Sequence, residues 1–98
     1  SNVVAYARCV VVSPRKQTVK VSLGSNDGAK VLVNGKEVFS WCSVPHNGRS
    51  ARQHQNQFDV ELQEGKNVFL AKVENLGANW QLYLALHDPN RELTVTAE

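Results

Sequence analysis

The feature that most constrains this chain is the period of two in its apolar residues. In "TVKVSL", Val19, Val21 and Leu23 alternate with Thr18, Lys20 and Ser22. In "FDVEL", Phe58, Val60 and Leu62 alternate with Asp59 and Glu61, and "WQLYLALHD" repeats the pattern with Leu82, Leu84 and Leu86. Successive side chains of a strand point to opposite faces, so each segment reads as a strand with one apolar and one solvated face. No stretch has the three-to-four spacing of an amphipathic helix.

Turn signals separate these strands. In "GSNDGAKVLVNGKEV", from Gly24 to Val38, Asp27-Gly28 and Asn34-Gly35 both read as reversals, and together they predict a three-strand meander. Asn34-Gly35 suits a type I′ hairpin, whose two central residues both need positive φ. That hairpin pairs Val33 with Lys36 and Val31 with Val38, leaving Leu32 and Phe39 on the opposite face with Lys30 and Glu37. After the Glu64-Gly65 turn, Val68, Phe69, Leu70 and Ala71 are consecutive, which predicts a central strand covered on both faces. "DPNR" is a proline turn, and "ELTVTA" is a last, edge strand.

Seven to eight short strands with no helix predict an all-β fold, an antiparallel jelly-roll or β-sandwich. The Cys…Trp…Cys framework of an immunoglobulin-type sandwich is absent. The 98 residues make one domain, 1–98, and 42% apolar with 20% charged residues describes an ordinary globular chain. A net charge of +2 and no clustering of cations with aromatics argue against nucleic acid. No apolar run approaches the roughly 20 residues of a membrane span. "SNVVAYARCVVV" begins in strand-like sequence without a basic leader, which reads as a module excised from a longer protein.

Three groups of residues bear on chemistry. Cys9, in an apolar strand pattern, is either a buried small hydrophobe or half of a Cys9–Cys42 disulfide; both readings stand. Neither the two cysteines nor His46, His54 and His87 have zinc-ligand spacing. No nucleophile–base or paired-carboxylate spacing is evident, so the chain reads as a non-enzyme. Asn26 and Asp27 offer hard oxygen ligands for a structural calcium; a plain Asx-type turn is the other reading of the same residues, and no other cofactor is implied.

"SWCSVPHNGRSARQHQNQ", Ser40 to Gln57, breaks the rhythm. Irregular connections of this length are more often functional than not. Binding a sugar takes an aromatic face for its C–H side and amide, carboxylate or guanidinium groups for its hydroxyls. This loop supplies Trp41, Arg49 and Arg52, and "ENLGANW" supplies Asn75, Asn79 and Trp80. The two tryptophans are the candidate stacking platforms and the other four the hydroxyl partners. Each tryptophan also fits a core-packing role, and the arginines also fit solvated loop positions.

"LGSNDGAKVLVNGKEVF", then a long loop, then "FDVELQEGKNVFLAKVEN" and "GANWQLYLAL" resemble a galactose-binding-like β-sandwich, over nearly all of Val3 to Asp88. Modules of that kind are appended to bacterial glycoside hydrolases and other secreted or cell-surface proteins. The first hairpin also resembles that of the protective-antigen-type lectin domain, which carries two consecutive acidic residues for calcium where this chain has Asn26-Asp27. The most specific shared positions are the Asn34-Gly35-Lys36 turn and Leu62, Gly65 and Asn67; these define architecture more than binding. The resemblance implies an extracellular, non-catalytic carbohydrate-binding module that targets an attached enzyme to a polysaccharide or oligosaccharide. The alternative is a structural spacer that docks on neighbouring domains of the parent chain.

Overall fold

The computed structural model describes residues 3–25, 29–41, 56–75 and 82–97, and within these every side chain except those of residues 3–5, 25, 41, 74–75 and 82–83. It contains eight strands: β1 (Val3–Ser13), β2 (Gln17–Ser25), β3 (Ala29–Val33), β4 (Lys36–Trp41), β5 (Asn56–Leu62), β6 (Gly65–Asn75), β7 (Leu82–Leu86) and β8 (Thr94–Thr96). They form a five-stranded sheet, β4-β3-β6-β1-β8, and a three-stranded sheet, β5-β2-β7. All neighbouring strands are antiparallel, and no helix occurs among the described residues.

The two sheets bury their facing sides against each other. The larger sheet contributes Val11, Ala29, Val31, Val33, Phe69 and Ala71; the smaller contributes Val19, Val21, Leu23, Val60 and Leu62. Leu84 and Leu86 of β7 pack against this core, as their alternation predicts. Along the β4–β5 side the core ends in a stack of Phe39 on Phe58, with ring centroids 4.9 Å apart and planes 15° from parallel. Burying each aliphatic side chain stabilises the sandwich by about 1.5–3 kcal/mol.

Every connection except the β3–β4 hairpin passes from one sheet to the other. This corrects the three-strand meander: β2 lies in the smaller sheet and β3 in the larger, so the chain crosses the core between them. Both strands carry the same alternation because both face one core. A second correction concerns the hairpin. Asn34 and Gly35 have φ of 53° and 81°, and Val33 pairs with Lys36 as expected, but Val31 pairs with Phe39. The register shifts between Val31 and Leu32, so Val38 is an extra residue, a β-bulge. The bulge turns Phe39 inward onto Phe58, off the outer face where strict alternation puts it.

β6 is central, between β3 and β1, as its apolar run predicts. Its inner residues Phe69 and Ala71 are buried, but Val68 and Leu70 on the outer face are only half-buried, so cover on both faces is incomplete. β8 pairs with β1 alone and is an edge strand. The "DPNR" turn forms with the Arg91 amide donating to the Asp88 carbonyl. The Asp88 carboxylate also accepts from the Glu92 and Leu93 amides. Arg15, in the β1–β2 connection, pairs with Glu92 at 2.9 Å and ties this turn to that connection at the same end of the sandwich.

Candidate functional site

None of the six residues expected to contact sugar has a described side chain. Trp41 ends β4, where its backbone pairs with Ala29, and Asn75 ends β6, paired with Val3. Arg49, Arg52, Asn79 and Trp80 lie outside the described residues, as do Asn26 and Asp27, the calcium candidates, and Cys42. Among the described residues no group of three or more potential metal ligands occurs, and no helix is long and apolar enough to cross a membrane.

Cys9 is a free, half-buried thiol. It lines an apolar recess of about 150 Å³ with Ala7, Val31, Phe69, Ala71 and Leu84. Burial pushes its pKa up, which disfavours the thiolate and any nucleophilic role.

Two surface features carry polar chemistry. The first is an open groove of about 500 Å³ along the free edges of β4 and β5, lined by Val33, Lys36, Val38, Asp59, Glu61 and Gln63 among others. It offers hydrogen-bonding groups but no aromatic platform. Its two carboxylates are also engaged: Asp59 with Lys20 at 3.5 Å and Glu61 with Lys16 at 3.7 Å.

The second is the outer face of the five-stranded sheet. Pairing places Tyr6 of β1 beside Lys72 of β6, and Lys72 beside Lys30 of β3. These three residues form a row across three strands, spanning about 10 Å at the usual interstrand spacing. The next row carries Arg8, Leu70 and Leu32, and Lys66 lies further along β6 opposite Val12. Tyr6 is 64% exposed and, among the described residues, stands with Val95 as an exposed large hydrophobic side chain.

The two outer faces differ in charge. On the smaller sheet the cations Lys16 and Lys20 each meet a carboxylate. On the larger sheet Lys30 meets Glu37 at 3.3 Å, while Lys66 and Lys72 make no ion pair among the described residues. Glu37 is the carboxylate on this face among the described side chains, against Arg8, Lys30, Lys66 and Lys72. Among the described side chains, cations therefore outnumber carboxylates on this face.

Reading the sequence for sugar contacts passed over Tyr6. In "AYARCV" a tyrosine flanked by small apolar residues looks like core. The usable signal was parity: Tyr6 and Arg8 share the face opposite Cys9 and Val11. Comparison of the chain with protein-family models, curated proteins and solved structures finds no match.

Proposed function

We propose that this chain is a non-catalytic carbohydrate-binding module, of the galactose-binding-like type its sequence resembles, that holds an attached extracellular enzyme on a glycan. The observation that carries this reading is the ring of Tyr6, 64% exposed on the open face of a packed sheet. A ring held on a sheet presents a flat apolar surface to the C–H side of a pyranose at small entropic cost. Lys72 beside it, Lys30 one strand further on and Arg8 in the next row offer donors for hydroxyl or acidic oxygens. Trp41 and Trp80, with Arg49, Arg52, Asn75 and Asn79, are the second candidate set for the sugar.

A glycan array followed by calorimetry tests the reading. Binding in the micromolar-to-millimolar range that falls about tenfold in Tyr6→Ala supports it and places the sugar on the sheet. Loss in Trp41→Ala or Trp80→Ala with Tyr6→Ala unaffected keeps the function and moves the site to the loops. No binding to plant, algal or bacterial polysaccharides overturns it.

A structural docking role is the second reading. It is favoured by the half-buried Leu32, Val68 and Leu70 on the same outer face, where a sandwich surface is ordinarily polar. A neighbouring domain of the parent chain is the partner it implies.

A further inference from the structure

We infer that the glycan is anionic, bearing carboxylate or sulfate groups, and that it lies across the strands along the row Tyr6–Lys72–Lys30. This rests on the carbohydrate-binding reading and narrows its ligand class. Three observations converge. The row places one exposed ring and two ammonium groups on adjacent strands, at a spacing comparable to that of successive sugar units. Lys72 makes no ion pair among the described residues, while Arg8 lies one row along the strands and Lys66 three rows along, both on the same side of the row. The opposite outer face neutralises its lysines with Asp59 and Glu61, so the charge is a property of this face and not of the chain as a whole, whose net charge is +2.

A polymer fits this surface better than a lipid membrane. The apolar residues between the cations, Leu32, Val68 and Leu70, are half-buried and do not project as a wedge for insertion. Single-stranded nucleic acid is bound by several stacking aromatics in succession, and this face shows one among the described side chains. An acidic sugar chain needs one ring for stacking and cations at intervals, which the row supplies. The Lys30–Glu37 pair is a built-in competitor: Glu37 occupies one of the ammonium groups that a ligand anion would use.

The test is calorimetry or affinity electrophoresis of the 98-residue chain on two matched polymer pairs, polygalacturonate with its carboxyl-reduced form and dextran sulfate with dextran. Anionic lipid vesicles and polyglutamate serve as controls. The expected result is at least a tenfold preference (~10-fold) for the anionic member of one pair, falling severalfold between low and high salt. The pair that shows it distinguishes carboxylate from sulfate.

Lys72→Gln, which keeps most of the aliphatic stem, should weaken binding about fivefold, and Lys72→Arg should restore it. Glu37→Gln should tighten binding severalfold, a gain that a damaged fold does not produce. Equal affinity for charged and neutral polymers overturns the inference while leaving the carbohydrate reading intact. Binding to vesicles or polyglutamate as tightly as to the sugar polymers overturns both, as does binding to neither pair together with a blank glycan array. Unchanged affinity in Lys72→Gln and Glu37→Gln overturns the proposed row.

Discussion

The side chain of Asn34 donates from Nδ2 to Oδ1 of Asn67 at 2.9 Å, joining the β3–β4 turn to the buried start of β6. Asn34 occupies a left-handed position with φ of 53°. Its own Oδ1 accepts from the Val68 amide at 2.9 Å, and its amide donates to the Val68 carbonyl at 2.8 Å. Asn67 is fully buried. Its Nδ2 lies 3.0–3.2 Å from the carbonyls of Gln63, Gly65 and Val11, and its Oδ1 also accepts from the Gln63 amide at 2.9 Å. One side chain thus satisfies the β5–β6 turn, the neighbouring β1 backbone and the hairpin turn.

Asn67→Ala should therefore be the costliest polar truncation in the chain. It leaves several backbone groups without partners in a place that water cannot easily reach, and a loss of about 3–5 kcal/mol is expected. Urea unfolding of the variant measures it. Asn34→Ala should cost about 1–2 kcal/mol, because its groups lie at the surface and water can replace part of what is lost. The double variant should lose less than the sum, with coupling of about 1 kcal/mol.

Asn67→Asp is a sharper probe because its effect depends on pH. The carboxylate would face the same three carbonyl oxygens that Nδ2 now serves, so the buried charge is opposed by burial and by those dipoles. Its folded pKa should rise above the ordinary value of about 3.9. A carboxyl with a raised folded pKa loses stability as pH climbs above its unfolded pKa. The variant should be more stable, relative to the wild type, at pH 4 than at pH 7. Equal penalties at the two pH values would show that the site admits water.

Gly65 has a φ of 95° and nothing within 4 Å of the place where a Cβ would sit. Gly65→Ala therefore isolates backbone strain from steric clash. A loss of about 1–2 kcal/mol is expected, and Gly65→Asn should recover part of it. Thermal unfolding of the two variants checks the order.

Much of the strand architecture was legible because alternation reports which residues face a core. Val19, Val21 and Leu23, and Val60 and Leu62, are buried as their parity demands. Alternation does not report which strand lies beside which. β2 and β3 face one core from opposite sheets, and a meander would have written the same pattern. The bulge at Val38 was hidden for a related reason: both Val38 and Phe39 are apolar, so neither parity was excluded until pairing was known. Tyr6 shows the limit for function. Its exposure depends on which of two plausible faces β1 turns inward, and on Lys72 and Lys30, which are remote in sequence. The loop candidates from Arg49 to Trp80 rest on residue inventory, and inventory alone does not establish convergence.

Because Val38 is the inserted residue and Phe39 is the one paired with inward-facing Val31, removing the bulge should cost less than removing the ring. Phe39→Ala loses the stack on Phe58 and part of the β4–β5 seal, with an expected cost of about 2–4 kcal/mol. Deleting Val38 restores regular pairing with Phe39 still opposite Val31 and facing inward. The deletion loses only the half-buried Val38 side chain and should leave the denaturation midpoint above that of Phe39→Ala.

Cys9 supplies a prediction about reactivity. Its thiol borders an apolar recess and its pKa is raised by burial. In a Cys42→Ser background, alkylation of Cys9 by iodoacetamide at pH 8 should therefore be much slower than that of glutathione, and unfolding in urea should abolish the difference. The linked effect on stability follows in sign. Below the ordinary thiol pKa of about 8.5 both states hold the proton and stability is independent of this group. Above it the unfolded chain ionises first, so stability falls as pH rises, and it levels off once the folded thiol ionises as well. Cys9→Ala should remove that decline between pH 8 and pH 10 (about the span over which a thiol titrates). A Cys9 that alkylates as fast as glutathione in the folded chain would show that the recess is open to solvent.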